Sequence, residues 1–415
     1  MSTVQPYIPR SGEKPGPGEP FARSWRVELR IWWREVDRWL LALVIALMAI
    51  GTVAVAVASP ASADRLSTAQ TQLPELYFYW AHIRWQVLGL AVMLGAAMLS
   101  RDNARRLGIL LAGAMVAAMF LVPIPGIGHE VNGSQRWLKF GMTMQPSEFL
   151  KPGFAIALAW ILTWRLRDPN LPVLAIATGA MALVGGLLML QPNLGATMLF
   201  AGVWFVLMLL SGVSIQRIGA LVAGGVALLT AAYFLYDNAR YRIDSFLGGG
   251  TAYDQVDLAQ RTLLAGGWTG SGMWLGIRKM TLPEAHTDYI FSVIGEEFGL
   301  LICALVVLLY LAILVRVLVR LADEENLFVL LAGAGLVTQI CGQAFINILV
   351  NLQLFPSKGM TLPLVSYGGS STIAVCLTVG LLLAITRRNP FLHRETPGLR
   401  AMLNDSGPDA KEVDR

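Results

Sequence analysis

Charged residues are scarce in this sequence. They make up 14% of its 415 residues, whereas 55% are hydrophobic, and the mean hydropathy is +0.58. Soluble domains carry about 25% charged residues, so the composition excludes an ordinary water-soluble protein. Apolar stretches of about 20 residues, the length that crosses a bilayer core as a helix, recur along most of the chain. The sequence therefore predicts an all-α, polytopic integral membrane protein.

Cysteine is rare as well, with three residues in the whole chain. Cys303, Cys341 and Cys376 all fall inside apolar runs. They are interpreted as small core residues and not as a disulfide or metal-binding set.

The excess of positive charge, +5 in formal net charge, lies beside apolar runs and forms no single patch. This distribution argues against nucleic acid as a partner and for topology signals. The arginines between residues 23 and 38 precede the first apolar run, which predicts a cytoplasmic N-terminus by the positive-inside rule. A long polar tail precedes that run, so no cleavable signal peptide is predicted.

Apolar runs bounded by charge, proline or glycine predict ten spans. Alternation from a cytoplasmic start places the arginine-rich turns and both tails, 1–38 and 391–415, inside. The membrane domain is then 39–390, with a long extracytoplasmic loop, 237–287, between spans 7 and 8. The spans are predicted near residues 40–59, 82–100, 107–123, 147–164, 171–190, 193–211, 216–236, 288–315, 327–352 and 366–386.

The strongest polar constellation is the segment Leu282–Phe291, which passes from the long outer loop into an apolar run. A helix starting at the proline of this segment would place Glu284 and Asp288 on one face, with His286 pointing elsewhere. A carboxylate partly removed from water has a raised pKa and suits a general base. Alternatively, Thr287 or Asp288 only caps the next helix and Glu284 is solvated.

Glu296 and Glu297 follow in the same apolar run, where an unpaired carboxylate is costly. The sequence leaves two roles open for them. One of them faces a polar cavity, or both pair with basic groups for folding.

Basic residues flank the predicted fourth span on its outer side. Arg136, Lys139 and Lys151 are donors there, with Glu148 beside them. Cations beside a helix N-terminus bind a diphosphate head group well. In the simpler alternative, Ser147 caps the helix, and Trp137 and Lys139 anchor it at the interface. Three more basic residues are predicted outside, either to attract an anionic ligand or as solvated loop residues: Arg278, Lys279 and Lys358.

Four amides recur every four residues in the ninth predicted span and form one stripe: Gln339, Gln343, Asn347 and Asn351. Since amides avoid lipid tails, the stripe packs against a neighbouring helix, the favoured interpretation, or lines a polar groove. The run Ser366–Thr372 opens the last span with small residues, which allow close approach of a helix or a ligand.

Four segments together resemble the signature of the shape, elongation, division and sporulation (SEDS) family: Asn132–Lys151, Gln191–Gly195, Leu282–Phe291 and Pro363–Ser371. They occur in the right order, and the resemblance covers nearly all of residues 40–390. It implies a ten-span fold that polymerises lipid II into glycan strands at the outer face of the bacterial inner membrane. It also implies that Asp288 is the catalytic residue.

Two features resemble the division-type branch of this family more than the elongation-type branch. They are the sequence Pro356–Pro363 and Ala285 in the Pro-Glu-Ala-His-Thr-Asp motif. This resemblance implies action at the division septum. It also implies partners in a class B penicillin-binding transpeptidase and other divisome membrane proteins. Two positions depart from the family pattern. Asn193 stands where the family usually has Asp, and residues 278–281 lack the acidic residue that many division-type members carry.

The residues and the resemblance together predict a peptidoglycan glycosyltransferase with Asp288 as general base. Mg²⁺ or Mn²⁺ stays open as a cofactor. There are two rival hypotheses. One is a lipid II flippase that uses the amide stripe and the carboxylates of Glu296 and Glu297 as its polar path. The other is a scaffold that recruits a transpeptidase. The predicted substrate-binding residues are Arg136, Lys139, Glu148, Lys151, Glu284, His286, Lys358 and Ser366.

Overall fold

The computed structural model is a bundle of long helices with one small sheet. It describes residues 25–388 except 69, 125, 132–133, 141, 167, 169, 192, 236, 238–239, 241–243, 245–254 and 356–358. The helices are α1 (Trp25–Glu35), α2 (Arg38–Leu66), α3 (Tyr77–Ala97), α4 (Arg101–Leu121), α5 (Pro146–Thr163), α6 (Val173–Leu190), α7 (Leu194–Leu210), α8 (Ile215–Leu235), α9 (Gln255–Ala265), α10 (Ile290–Ala322), α11 (Leu327–Asn351) and α12 (Gly369–Ile385). The strands are β1 (Gly128–Val131), β2 (Ser134–Phe140) and β3 (Met142–Met144).

Ten of these helices, α2 to α8 and α10 to α12, coincide with the ten predicted spans. Among the described residues, six helices are long and apolar enough to cross a bilayer on their own, namely α2, α4, α5, α6, α10 and α11. The helices α7 and α12 are shorter and apolar. The prediction of an all-α polytopic membrane protein is therefore confirmed, while α1 is a further helix inside the region predicted to be a tail.

Polar residues before the apolar runs determine where several helices begin. The side chain of Asp37 accepts hydrogen bonds from two backbone N–H groups in the first turn of α2, and Ser100 and Asn326 cap α4 and α11 in the same way. Such caps satisfy backbone donors that a helix start leaves unpaired. The family departure at Asn193 has this role as well, because its Oδ1 accepts from Ala196 N at 3.2 Å.

The loop between α4 and α5 contains a three-stranded antiparallel sheet in the order β1-β2-β3, which the prediction of an all-α chain missed. Val131 of β1 pairs with Ser134 of β2, and Leu138 of β2 pairs with Met144 of β3. Leu138 is fully buried. The sheet therefore folds onto the helix bundle instead of extending away from it.

Helix α10 is the longest element, with 33 residues, and it is kinked at Gly299, where φ is 81°. Residues 266–281, here called the α10-binding loop, pack against its first part. Ser271 N donates to Glu296 O at 2.8 Å, and Leu300 N donates to Gly267 O at 3.0 Å. A Cβ at Gly299 would overlap the backbone of this loop, so both the positive φ and the close packing require glycine.

The bundle has two chemically different ends. At one end the Asp37 carboxylate accepts from Arg316 Nε at 2.8 Å and Arg320 Nη1 at 2.9 Å, and Arg101 donates to the Arg387 carbonyl at 2.6 Å. These contacts join the start of α2, the turn between α3 and α4, and the last turns of α10 and α12. This end, called the basic end, carries Arg101, Arg316, Arg320, Arg387 and Arg388.

Candidate active site

At the opposite end, Asp288 lies in an irregular segment, residues 282–289, immediately before α10. The predicted helix over this segment is absent, because Glu284 adopts a left-handed conformation with φ of 52°. The alternative of a helix cap is also wrong. The N-cap of α10 is Tyr289, which makes no side-chain capping bond, and the hydroxyl of Thr287 donates to Glu284 Oε2 at 2.8 Å.

Two amides of α11 hold the backbone of Asp288 in place. Asn347 Nδ2 donates to Asp288 O at 2.7 Å and to Met360 O at 2.6 Å. Asn351 Nδ2 donates to Asp288 O at 3.3 Å, and its Oδ1 accepts from the hydroxyl of Ser292 at 2.7 Å. This part of the predicted stripe therefore binds loop backbone as well as α10, which corrects the expectation of simple helix–helix packing.

A second set of bonds joins the Asp288 segment to the segment before α12. Ser366 Oγ donates to Thr287 O at 2.6 Å and accepts from Leu362 N at 2.7 Å. Next to it, Tyr367 N donates to His286 O at 2.9 Å. Ser366 is only 4% exposed and uses its hydroxyl within the protein, so it positions the segment, while its predicted contact with substrate stays a prediction.

His286 is likewise turned into the protein. Its ring packs against Phe78, with centroids 4.3 Å apart, and against Tyr367 at 5.3 Å. Burial lowers the pKa of the imidazole to about 4, so the ring is neutral near pH 7. This environment supports the shape of the segment, although His286 was predicted to contact substrate.

The Asp288 carboxylate is half-buried and lies beside the backbone of Gly359. A Cβ added at Gly359 would be 3.3 Å from Asp288 Oδ2, closer than most side chains tolerate. Glycine therefore leaves room beside the carboxylate. Lys358, the neighbouring predicted ligand, lies outside the described residues.

Lys151 belongs to the same network. Its Nζ donates to Glu148 Oε1 at 2.6 Å and to Gln343 Oε1 at 2.7 Å, and Gln343 donates in turn to Thr361 O at 2.9 Å. Gln343 precedes Asn347 by one turn of α11, about 6 Å along the axis. The structure therefore brings the predicted cation close to the Asp288 segment.

The alternative in which Ser147 caps α5 is wrong, because the N-cap of this helix is Gln145. Ser147 Oγ is buried, and no described residue hydrogen-bonds to it.

The two cations of β2 differ in their surroundings. Arg136 Nε donates to Gln191 O at 3.0 Å, which fastens the sheet to the turn between α6 and α7, whereas Lys139 is exposed.

The two carboxylates inside α10 have a folding role. Glu296 accepts from the backbone N–H groups of Arg278, at 2.6 Å, and Lys279, at 2.8 Å. Glu297 forms an ion pair with the buried ammonium of Lys279 and accepts from Gly276 N at 3.2 Å. The folding alternative is confirmed for Glu297, whereas Glu296 binds backbone N–H groups. Lys279 is committed to its pair with Glu297 and not to an outer ligand.

Within the described ranges, no group of three or more His, Cys, Asp or Glu side chains is arranged to hold a metal ion. The site described so far consists of one carboxylate, the paired Lys151, and the backbone contacts that fix them. Comparison with known proteins shows the family of the chain. A family model for FtsW, RodA and SpoVE, described as a cell cycle protein, matches residues 37–390.

The chain belongs to this FtsW/RodA/SpoVE family. It is 36% identical over 374 residues to the probable peptidoglycan glycosyltransferase FtsW of Caulobacter vibrioides, covering 89% of this chain and 94% of that protein. The protein of the same name from Hahella chejuensis is 36% identical over 371 residues, covering 84% and 90%. The division-type resemblance is thereby confirmed.

Solved structures of the family have the same fold. A chain of the structure described as "Structural coordination of polymerization and crosslinking by a peptidoglycan synthase complex" aligns with a TM-score of 0.70 and 28% identity, covering 85% of this chain and 98% of that one. Thermus thermophilus rod shape determining protein RodA aligns with a TM-score of 0.63 and 28% identity, covering 85% and 97%. The membrane-spanning helices and the FtsW/RodA/SpoVE family together indicate an inner-membrane protein.

Proposed function

We propose that this protein is a peptidoglycan glycosyltransferase of the division type, which polymerises lipid II into glycan strands. The names of the FtsW relatives support the activity. The observation that carries the proposal is the position of Asp288, whose backbone is fixed by Asn347 and Asn351 while its carboxylate stays half-buried beside a glycine. A carboxylate held in this way is suited to general-base catalysis.

In the proposed reaction, Asp288 accepts the proton of the acceptor sugar 4-hydroxyl. The hydroxyl oxygen attacks the anomeric carbon of the donor and forms the new glycosidic bond. The bond from that carbon to undecaprenyl diphosphate breaks, and the diphosphate leaves with the electron pair. Attack opposite the leaving group inverts the configuration at the anomeric carbon.

Cations stabilise the charge that develops on the leaving diphosphate. Lys151 remains a predicted diphosphate ligand, although its ammonium is buried and already donates to Gln343 Oε1. Glu148 orients its ammonium. Arg136, Lys139 and Lys358 remain predicted diphosphate ligands, as does a divalent cation, Mg²⁺ or Mn²⁺.

Among the other predicted ligands, Glu284 is exposed at the surface of the segment and remains a predicted substrate contact. His286 and Ser366 position the segment, since burial and internal bonds occupy them, while their predicted contact with substrate stays a prediction. Lipid II and the growing glycan strand are the two proposed substrates, and the donor stays anchored in the surrounding membrane lipid.

We also propose a class B penicillin-binding transpeptidase as partner, because a similar chain occurs in a structure described as a peptidoglycan synthase complex. Other divisome membrane proteins are further proposed partners, at the division septum. The arginines of the basic end support a cytoplasmic location for that end and for both termini by the positive-inside rule.

The flippase hypothesis is less well supported. It requires a polar path through the membrane, but Glu296 and Glu297 are closed off by the α10-binding loop, and Gln343, Asn347 and Asn351 are bonded to protein. The scaffold hypothesis requires no fixed carboxylate. Both rivals predict that Asp288→Asn leaves function intact.

Glycan synthesis from purified lipid II tests the proposal. The wild type, Asp288→Asn and Asp102→Asn are each purified with the transpeptidase partner and checked for folding. Asp102 is an exposed aspartate at the basic end, paired with Arg105 at 3.0 Å, and serves as matched control. Polymer is expected from the wild type and the control but not from Asp288→Asn.

Equal polymer from all three proteins would refute Asp288 as the base. If the folded, partner-bound wild type makes no polymer, the glycosyltransferase proposal fails. A parallel reaction with a chelator measures whether polymer formation depends on a divalent cation.

A further inference from the structure

A cavity of about 340 Å³ opens at the basic end, remote from Asp288. It lies between the end of α1 and the last turns of α10, with Arg388, the third residue after α12, on its rim. Two valines contribute to its wall. Its charged lining residues are Arg34, Glu35, Arg316, Arg320, Asp323 and Arg388.

The cavity and the contacts around it carry an excess of positive charge, since five arginines meet three carboxylates. Glu35 pairs with Arg387 at 3.1 Å, outside the cavity, and Asp37 neutralises only part of the charge of Arg316 and Arg320. A monoanion or dianion would therefore balance this region.

The protein satisfies the donors of Arg388 only in part, since its Nη2 donates to the Arg320 carbonyl. Its Nη1 is 3.8 Å from Asp323, beyond hydrogen-bond distance. Its Nε is buried and has no hydrogen-bond partner in the described part of the chain. The Arg388 side chain as a whole lines the cavity and is 22% exposed, and phosphate oxygens are acceptors that a guanidinium binds well.

The cavity is continuous with a surface that faces hydrocarbon. Val319 lines it and is 60% exposed, and Val315 and Leu318 extend this apolar surface along α10. Trp33 and Trp39 are exposed nearby, as tryptophans are at a membrane–water interface. An anion with an acyl chain matches both surfaces, whereas a soluble phosphate uses only the charged one.

We propose that this cavity binds the phosphate head group of an anionic phospholipid, with Arg316 and Arg388 as ligands and an acyl chain along Val315 and Val319. The bound lipid links α1 to the ends of α10 and α12. It stabilises the basic end and takes no part in the reaction at Asp288.

The test measures thermal unfolding of the full-length protein in a neutral detergent. The additions are phosphatidylglycerol, phosphatidylcholine and inorganic phosphate. Phosphatidylglycerol is expected to raise the unfolding midpoint in a saturable way, and the other two are not. Loss of one arginine is expected to weaken apparent binding about fivefold, as for other basic residues at an anionic membrane surface.

The test variant is Arg388→Gln, and the control is Arg105→Gln, an arginine near the same end whose partner Asp102 is exposed. Binding should weaken in the first and persist in the second. Equal shifts with both phospholipids, or unchanged affinity in a folded Arg388→Gln, would overturn the proposal. A shift with inorganic phosphate alone would overturn the lipid assignment.

Should Arg388→Gln fail to fold, the wild type still decides the matter. Native mass spectrometry with equal amounts of the two phospholipids should retain phosphatidylglycerol at a stoichiometry near one. A photoactivatable phosphatidylglycerol should crosslink to the last turns of α10. Crosslinks confined to other helices would contradict the proposed site.

Discussion

The amide of Asn347 joins two loop carbonyls that are far apart in the sequence, those of Asp288 and Met360. Neither carbonyl belongs to a helix or strand, so nothing local fixes its position. The geometry of the carboxylate therefore depends on a residue that touches no substrate in the proposed mechanism. Asn347 is a positioning residue.

Asn347→Ala is expected to lose both bonds and to cost about 1–3 kcal/mol of stability, because buried carbonyls are left unpaired. Glycan synthesis should fall by about tenfold to a hundredfold, the usual effect of a small misplacement of a catalytic group. Polymer formation and thermal unfolding are measured on the same preparation.

Asn326→Ala provides the control for that loss of stability. Asn326 caps α11 at its other end, and removal of a cap costs about 1 kcal/mol. Activity should survive in this variant. If both variants lose activity in proportion to stability, Asn347 has only a structural role.

The buried imidazole of His286 is expected to make the stability of the protein depend on pH. Burial lowers the pKa of its imidazole from 6.5 to about 4. The unfolded chain binds a proton below 6.5 and the folded chain only below about 4, so the stabilising contribution is complete above 6.5 and is lost as pH falls through about 4.

The unfolding midpoint should therefore decrease between neutral pH and about pH 4, and His286→Phe, which keeps an aromatic ring beside Phe78, should decrease less over the same range. Identical slopes for the two proteins would exclude His286 as the source. The exposed His129 supplies the control variant, His129→Phe, which should keep the wild-type slope.

At the scale of single residues, the sequence led to Asp288 through the family resemblance and not through local chemistry. Local chemistry allowed two roles for Asp288, a general base or a helix cap. The structure excludes the helix cap, because the N-cap of α10 is Tyr289. The sequence does not show that His286 and Ser366 are buried, because His286 packs against Phe78 and Ser366 binds Thr287 O, and these partners are far from them in the sequence. A sequence pattern contains no such contacts.

Among the elements, α10 and the α10-binding loop act as one unit. The loop covers the kink at Gly299, and its backbone amides and Lys279 bind both buried carboxylates of the helix. A buried ion pair is worth little compared with a well-packed apolar replacement, but removal of one partner leaves an unpaired charge. This asymmetry defines a double-mutant experiment.

Lys279→Met is expected to destabilise the protein by about 3–5 kcal/mol, because Glu297 becomes an unpaired buried charge. Adding Glu297→Gln should recover most of that loss, and the cycle of single and double variants gives the coupling energy. Thermal or denaturant unfolding reports each value.

The pair Arg261 and Asp257 on α9, 2.9 Å apart and partly exposed, is the matched control. Arg261→Met should change stability by less than about 1 kcal/mol. A Lys279→Met effect no larger than this would show that the buried pair does not hold the loop on α10.

The ten long helices were predictable because long apolar runs between charges leave few alternatives in a membrane. The sheet between α4 and α5 was missed, although its sequence contains a signal. The dipeptide Asn132-Gly133, which is typical of two-residue hairpin turns, stands between β1 and β2. The irregular segment 282–289 carries no such signal, because bonds from α11 and the segment before α12 determine its shape.

For the whole molecule, Asp37 is the main connection between the first span and the rest of the basic end. Burial alone would raise the pKa of its carboxyl, but the hydrogen bonds from Arg316 and Leu40 N and the charge of Arg320 lower the pKa below 3.8. Its contribution to stability is therefore present above pH 3.8 and is lost as pH falls below that value.

Asp37→Asn should reduce stability by about 1.5–3 kcal/mol at neutral pH, since hydrogen bonds to charged groups are lost. The difference from the wild type should shrink in strong acid. Unfolding of the two proteins across pH measures this. Asp102→Asn, at an exposed pair, should leave stability nearly unchanged, and an equal loss in both variants would refute the connecting role.

The length of α10 sets the height of the site above the lipid. Counted back from Arg316 at the basic end, about 20 residues cross a hydrocarbon core of about 30 Å at a rise of about 1.5 Å per residue, so the core ends close to the kink at Gly299. The part before Gly299 therefore projects into the head-group layer and carries Asp288 with it. In the proposed reaction, a diphosphate on a polyprenyl anchor lies in that layer, so the donor would reach the carboxylate by diffusion in the plane of the membrane, without leaving the bilayer.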